Sequence, residues 1–244
     1  MKRVNRTFPY ICSRGEGSPM GPMKMQPEEM GSLSARIYSK VRDGLIIGNF
    51  APGDRLLMQD LAGQLGTSIT PVREACLRLV SEQALELRSG RFAAVPDLSR
   101  ARYIQIKLIR VALEGLAAEH AADHFAPPDL EQLETFRASF VESNKAGNIK
   151  EARSSNRAFH FGVYRLSRMP MLIGQIESMW ASMGPILNVY DREIPRGYTG
   201  AEEHDHLIEA LRAGDRKRAR EAIENDIQRG SHGFLRYFDE RGSV

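Results

Sequence analysis

The break GTSIT at 66–70 separates two short amphipathic segments and is followed at once by an alternating β-prone stretch, an order of elements that few folds accommodate. From Leu33, the residues Ile37, Val41 and Leu45 recur four apart on one helical face, ending near Gly48 before the turn FAPGDRL. Met58 to Leu65 predicts a second, short helix with Leu61, Ala62 and Leu65 inward. Ser68 or Thr70 can cap the helix that follows, and Pro71 suits its first turn. In that third helix Val72, Cys76, Leu79 and Val80 face inward, leaving Arg73 and Glu74 outward. In LELRSGRFAAV, Leu85 and Leu87 alternate with Glu86 and Arg88, and a Ser-Gly turn leads to a second β-prone run ending at Val95, which predicts a hairpin.

Helix, helix, tight turn, helix and hairpin make the layout of a winged helix-turn-helix. The short second helix braces the third, whose exposed N-terminal half fits a major groove, while the hairpin reaches the neighbouring backbone or minor groove. Residues 1–32 carry Gly15, Gly17, Pro19, Gly21, Pro22 and Pro27 without periodicity and read as a flexible arm, placing this unit at 33–97.

Pro96 and Asp97 punctuate the chain. Beyond them, 98–240 reads as helix throughout. The first helix holds Ile109, Leu113, Leu116 and Ala117 on its inward face, and the whole gives about six helices with no strand signal, a helical bundle in its own right. The fold class is therefore mainly α, a three-helix winged unit joined to an all-helical one.

Composition excludes several classes. The 34 Lys+Arg against 31 Asp+Glu leave only +3, so any basic footprint for nucleic acid must be local. Two cysteines, Cys12 and Cys76, build neither a disulfide framework nor a metal motif, which favours a reducing cytoplasm. No apolar run approaches the roughly 18 residues of a membrane helix, and the N-terminus lacks the apolar core of a signal peptide. No Ser/His, Cys/His or HExxH arrangement supplies a nucleophile or general base, so a metalloenzyme with an appended DNA-binding unit is the weaker alternative.

Polar residues on apolar faces mark a possible site. Asn156 and His160 lie four apart on one inward face; His204 shares its face with Leu207, Ile208 and Leu211, whereas His206 neighbours Glu202 and Glu203. Asp226 shares its face with Ala219, Ala222 and Ile223, where a carboxylate is costly unless something meets it. An amide, two imidazoles and a carboxylate can converge in a bundle interior as metal ligands or as a metal-free hydrogen-bonded network.

With PGDRL, LAGQLG, TPVREA, a wing ending in Val95 and then RVALEG, the chain resembles the GntR family of bacterial transcription regulators, in the FadR-like branch with a C-terminal FCD ligand-binding domain. The resemblance runs from about Leu33 to the C-terminus. It implies a homodimer on a palindromic double-stranded operator, more often a repressor, with a small carboxylate effector bound in the helical domain and no catalytic role.

On the DNA side the resemblance implies Gln59, Ser68, Thr70, Arg73, Arg88 and Arg91, with Arg73 placed for bidentate reading of a guanine. Gln59 and Ile69 stand where the family commonly has basic residues, and Phe92 stands where the wing usually has glycine. The alternative for Arg73 is a surface pair with Glu74 or Asp60. Inside the bundle, Asn156, His160, His204 and Asp226 match the family's metal positions, which implies a divalent ion such as Zn, Ni or Mn. Asn156 replaces a common aspartate there, and Asp226 the last histidine. Arg110 and Tyr190 are the expected effector contacts, with Trp180 near them or in the core, and pairing of Arg110 with Glu114 is the alternative for that arginine.

Overall fold

The computed structural model describes residues 32–90, 92–97, 99–193 and 200–241. Its elements are α1 (Leu33–Ile46), β1 (Arg55–Leu57), α2 (Met58–Gln64), α3 (Ile69–Ser81), β2 (Glu86–Ser89), β3 (Phe92–Ala94), α4 (Arg100–Ala121), α5 (Pro127–Lys145), α6 (Ile149–Leu166), α7 (Pro170–Glu193), α8 (Ala201–Arg212) and α9 (Arg216–Arg241). The expected arm and Arg91 lie outside the described residues, apart from Ser32, which caps α1 by accepting from the Ala35 amide.

The first three helices and the strands form a head. α1 buries Ile37, Val41 and Leu45, and α3 buries Val72, Ala75, Cys76 and Leu79 against them. Burial also pushes the Cys76 thiol up to about 11, so it packs as a small apolar side chain. The expected hairpin is present as β2 and β3, but it is two-thirds of a sheet. β1, in the stretch read as a turn, pairs antiparallel with β3 from Arg55 opposite Ala94 to Leu57 opposite Phe92, giving the order β1-β3-β2. Its pattern buries only Leu56, so a three-residue strand left no alternation to detect.

In the bundle, α4 packs on α9, α5 on α6 and α8 on α9, with α7 against α4 and α6. The inward face expected for α4 is partly wrong. Ile109 is 44% exposed beside Leu108 at 60%, whereas Tyr103, Ile106, Glu114, Ala117, Ala118 and Ala121 are buried. Leu113 and Leu116 pack on the core from its margin.

Head and bundle meet along α1 and α7. Gly184 of α7 sits so close to the end of α1 that a Cβ there would overlap the Leu45 carbonyl oxygen and lie 2.7 Å from that of Ile46. Around this contact Arg42 pairs with Glu177 at 2.6 Å and Asp43 with Arg157 at 2.6 Å. From α6, Arg153 donates to the Ile47 carbonyl at the α1 C-cap (3.2 Å) and to the Leu187 carbonyl of α7 (2.7 Å).

Candidate functional site: an exposed helix and a buried polar cluster

On the head, α3 begins at Ile69 with Ser68 as its N-cap residue. The Ser68 side chain makes no capping hydrogen bond, and Thr70 lies inside the first turn rather than capping it. Gln59, Ser68, Thr70 and Arg73 are exposed along α2 and the start of α3. Among the described residues no ion pair engages Arg73, so the anticipated surface pair with Glu74 or Asp60 does not form. Ile69 turns to the core instead of outward, which explains how an apolar residue is accommodated at a position where a basic one is common. Arg88 pairs with Glu86 at 2.8 Å and Asp97 at 3.5 Å; such exposed pairs contribute little and leave the arginine exchangeable.

Inside the bundle a cavity of about 240 Å³ opens between α4, α5, α6, α7 and α9. Apolar side chains such as Tyr103, Phe140, Met183 and Phe234 form much of its wall; Lys107, Arg110, Asn144, Arg153, Asn156, His160 and Asp226 supply its polar groups. An apolar vessel with a few convergent polar groups suits one small, charged molecule.

At one end of this cavity three helices bring His160, His204 and Asp226 together, with ligand-capable atoms all within 4.8 Å of one another. His160 Nε2 stands 3.3 Å from His204 Nε2 and 3.4 Å from Asp226 Oδ2. Both imidazoles are buried, at 2% and 1% exposure, and His204 stacks on Phe159 at 4.1 Å between ring centroids. Burial, then His204 and Arg110, hold His160 well below its usual range; burial and then Arg137 lower His204 to about 3. Both rings are therefore neutral at pH 7, the state that ligates a metal. Asn156 lines the same cavity one turn before His160.

Two imidazole nitrogens and a carboxylate oxygen converging within 4.8 Å form a donor set that suits a divalent cation. His204 Nδ1, the ring nitrogen that does not face His160, is buried without a hydrogen-bond partner. Gly200, the α8 N-cap with φ +82°, lies against the cluster, where a Cβ would be 2.9 Å from Asp226 Oδ1 and 3.8 Å from His204 Nε2. Only a residue without a side chain gives both the left-handed turn and this clearance. His206 stays at the surface with Glu203, 3.2 Å away.

Behind His160 lies a second layer. Glu114, entirely buried, pairs with Arg110 through Nε (2.6 Å) and Nη2 (3.2 Å), and also accepts from Trp180 Nε1 (3.0 Å) and the Tyr164 hydroxyl (2.5 Å). The alternative for Arg110 is thus realised, yet Arg110 also lines the cavity. Trp180 is 7% exposed and belongs to the core. Tyr190 falls within α7, but its side chain lies outside the described residues.

Sequence reasoning named Glu114 only as an alternative partner of Arg110, and it missed Tyr164, Arg153 and Gly200 as parts of the site. Two signals were available: a carboxylate at 114 on a face otherwise made of Ala117, Ala118 and Ala121, and a tyrosine four residues after His160. Nothing in the local sequence marked Arg153 or Gly200.

Residues 33–95 match the bacterial regulatory proteins of the gntR family, and residues 105–229 match the FCD domain. The HTH-type transcriptional regulator McbR of Escherichia coli K12 is 35% identical over 199 residues, covering 81% of this chain and 90% of its own length. A probable D-xylose utilization operon transcriptional repressor of Paenarthrobacter nicotinovorans is 29% identical over 195 residues, 78% of this chain and 85% of that one. The solved structure of E. coli McbR/YncC aligns with a TM-score of 0.78 at 33% identity, over 85% of this chain and all of that chain. A putative GntR regulator from Rhodococcus sp. RHA1 shares the fold at a TM-score of 0.66 and 20% identity. No helix among the described residues is long and apolar enough to cross a membrane. With a helix-turn-helix head matching one domain and a cavity-bearing bundle matching the other, the chain belongs to the GntR family as a DNA-binding transcriptional regulator with an FCD ligand-binding domain, and it is not an enzyme.

Proposed function

We propose that the chain acts in the cytoplasm as a homodimeric repressor, its 33–97 unit reading a palindromic operator and its 98–240 unit binding a small carboxylate effector that releases the DNA. Exposed Arg73, Gln59, Ser68 and Thr70 supply the groove-facing and phosphate-facing groups, with Arg88 of β2 and, from the sequence reading, Arg91 as further backbone contacts. Leu108 and Ile109 present apolar side chains at the surface of α4, a face that a second copy can cover. A divalent ion of the zinc, nickel or manganese type, held by His160, His204 and Asp226 with Asn156 beside them, would supply a Lewis-acidic point for the effector's carboxylate. Arg110 and Tyr190 are proposed to complete effector binding.

The observation that carries this reading is Arg153. One guanidinium lines the cavity and also holds the carbonyl of Ile47 at the end of the head's first helix. An anion in the cavity that draws hydrogen bonds from Arg153 weakens its grip on Ile47, biasing the angle of the head and so the spacing of the two recognition helices, which must meet half-sites about 34–36 Å apart.

The test is fluorescence anisotropy with labelled duplexes spanning the chain's own promoter at low ionic strength. Retention of one duplex over scrambled competitors is expected; failure to retain any duplex overturns the operator reading. Arg153→Gln is expected to leave Zn²⁺ uptake intact and to lower operator affinity about 5- to 150-fold, the range of a coupling of about 1–3 kcal/mol. Unchanged operator affinity would remove Arg153 from the path.

A further inference from the structure

We infer that Tyr164 and Glu114 fix the tautomer of His160, placing its ring proton on Nδ1 and turning a bare Nε2 lone pair toward His204 and Asp226. A tyrosine hydroxyl carries a single proton, and here Glu114 takes it. The carboxylate accepts from Tyr164 and Arg110 on Oε2 and from Arg110 and Trp180 on Oε1, and an ionised carboxylate can only accept. Toward His160 Nδ1, 3.2 Å away, the Tyr164 oxygen therefore offers only a lone pair, and Nδ1 must donate. A neutral imidazole with its proton on Nδ1 has none on Nε2.

This chain of partners turns a local pair into a feature of the cavity. Arg110, on α4, orients Glu114; Glu114 orients Tyr164, on α6; Tyr164 orients His160 one turn earlier. Without a cation, His160 Nε2 accepts from His204 Nε2–H at 3.3 Å, while the Asp226 carboxylate 3.4 Å away has no proton to receive from it. The tautomer stands on the hydrogen bonds alone; its consequence for metal affinity rests on the metal reading proposed above. Tyr164 is thus a positioning residue, acting on the cluster through His160 without facing it.

Two measurements test this on the full-length protein. Long-range ¹⁵N correlation spectra of the metal-free protein report the protonated nitrogen of each imidazole directly. His160 is expected in the Nδ1–H form, and an Nε2–H form overturns the inference. Zn²⁺ titration by calorimetry is then compared among the unmodified chain, Tyr164→Phe and Tyr38→Phe. Tyr164→Phe removes the acceptor for Nδ1–H and is expected to weaken Zn²⁺ binding about 10- to 100-fold and to shift the His160 ¹⁵N signature. Tyr38→Phe removes a buried tyrosine hydroxyl from α1, where it donates to Glu82 far from the cluster, so it should change neither. Equal Zn²⁺ affinity in Tyr164→Phe and the unmodified chain overturns the positioning role. If the unmodified chain takes up no Zn²⁺ yet shows Nδ1–H at His160, the tautomer is upheld and the metal reading fails.

Discussion

Replacing Arg73 with alanine is expected to remove specific operator recognition while leaving the head folded. The side chain projects into solvent from the first turns of α3, outside the face that buries Val72, Cys76 and Leu79, so truncation opens no cavity and orphans no partner. A bidentate arginine–guanine contact contributes about 1–3 kcal/mol of discrimination. In the homodimer proposed above that contact would occur twice, so the loss should reach about 2–6 kcal/mol, roughly 30-fold to more than 10⁴-fold in affinity for the cognate duplex. Arg73→Lys should recover charge but not the planar fork, restoring phosphate attraction more than sequence choice. Anisotropy against cognate and scrambled duplexes separates the two effects, and thermal melting checks the fold. Undiminished preference for the cognate duplex would strike Arg73 from the readers.

The largest effect on stability is expected at Glu114. Its side chain is entirely buried and compensates Arg110, whose side chain is only 14% exposed. Glu114→Ala leaves a guanidinium in the interior without its counter-ion and strips the Tyr164 hydroxyl and the Trp180 indole of their acceptor. Breaking a buried pair from one side costs about 3–5 kcal/mol, chiefly the desolvation of the stranded charge. Against a total stability of about 5–15 kcal/mol, a loss of that size takes a large share of the margin. Urea unfolding should show it as a shift in midpoint at constant slope. Arg110→Met paired with Glu114→Leu should recover part of the loss by removing both charges, although Tyr164 and Trp180 stay unsatisfied. A loss below about 1 kcal/mol for Glu114→Ala would mean that water in the cavity lined by Arg110 solvates the stranded guanidinium in place of the carboxylate.

Where the sequence guided correctly, it did so through periodicity. The face of α3 follows from Val72, Cys76 and Leu79, and the candidate ligands follow from polar residues set among apolar neighbours, as with His204 beside Leu207 and Ile208. Where it failed, the reason was long range or ambiguous pattern. β1 exists because β3 pairs with it from some 35 residues downstream, and three residues carry too little alternation to reveal that. On α4, apolar residues occur on both the buried side and the surface, so spacing alone assigned Ile109 to the wrong one. The layer formed by Glu114, Tyr164 and Trp180 comes from three helices converging, and the role of Arg153 is decided by the head that lies over it. Spacing within one helix reports neither.

The seating of Gly184 beneath the end of α1 bears on any attempt to recombine parts of such regulators. Because even a methyl group at that position would collide with backbone oxygens rather than with a pliable side chain, the joint has no slack to absorb a mismatch. A chimera that transplants this head onto another bundle, or this bundle under another head, inherits the fit only if a glycine sits at the joint and the donor helix ends at the same height. Specificity for an operator and specificity for a ligand are therefore not freely exchangeable cassettes in this molecule.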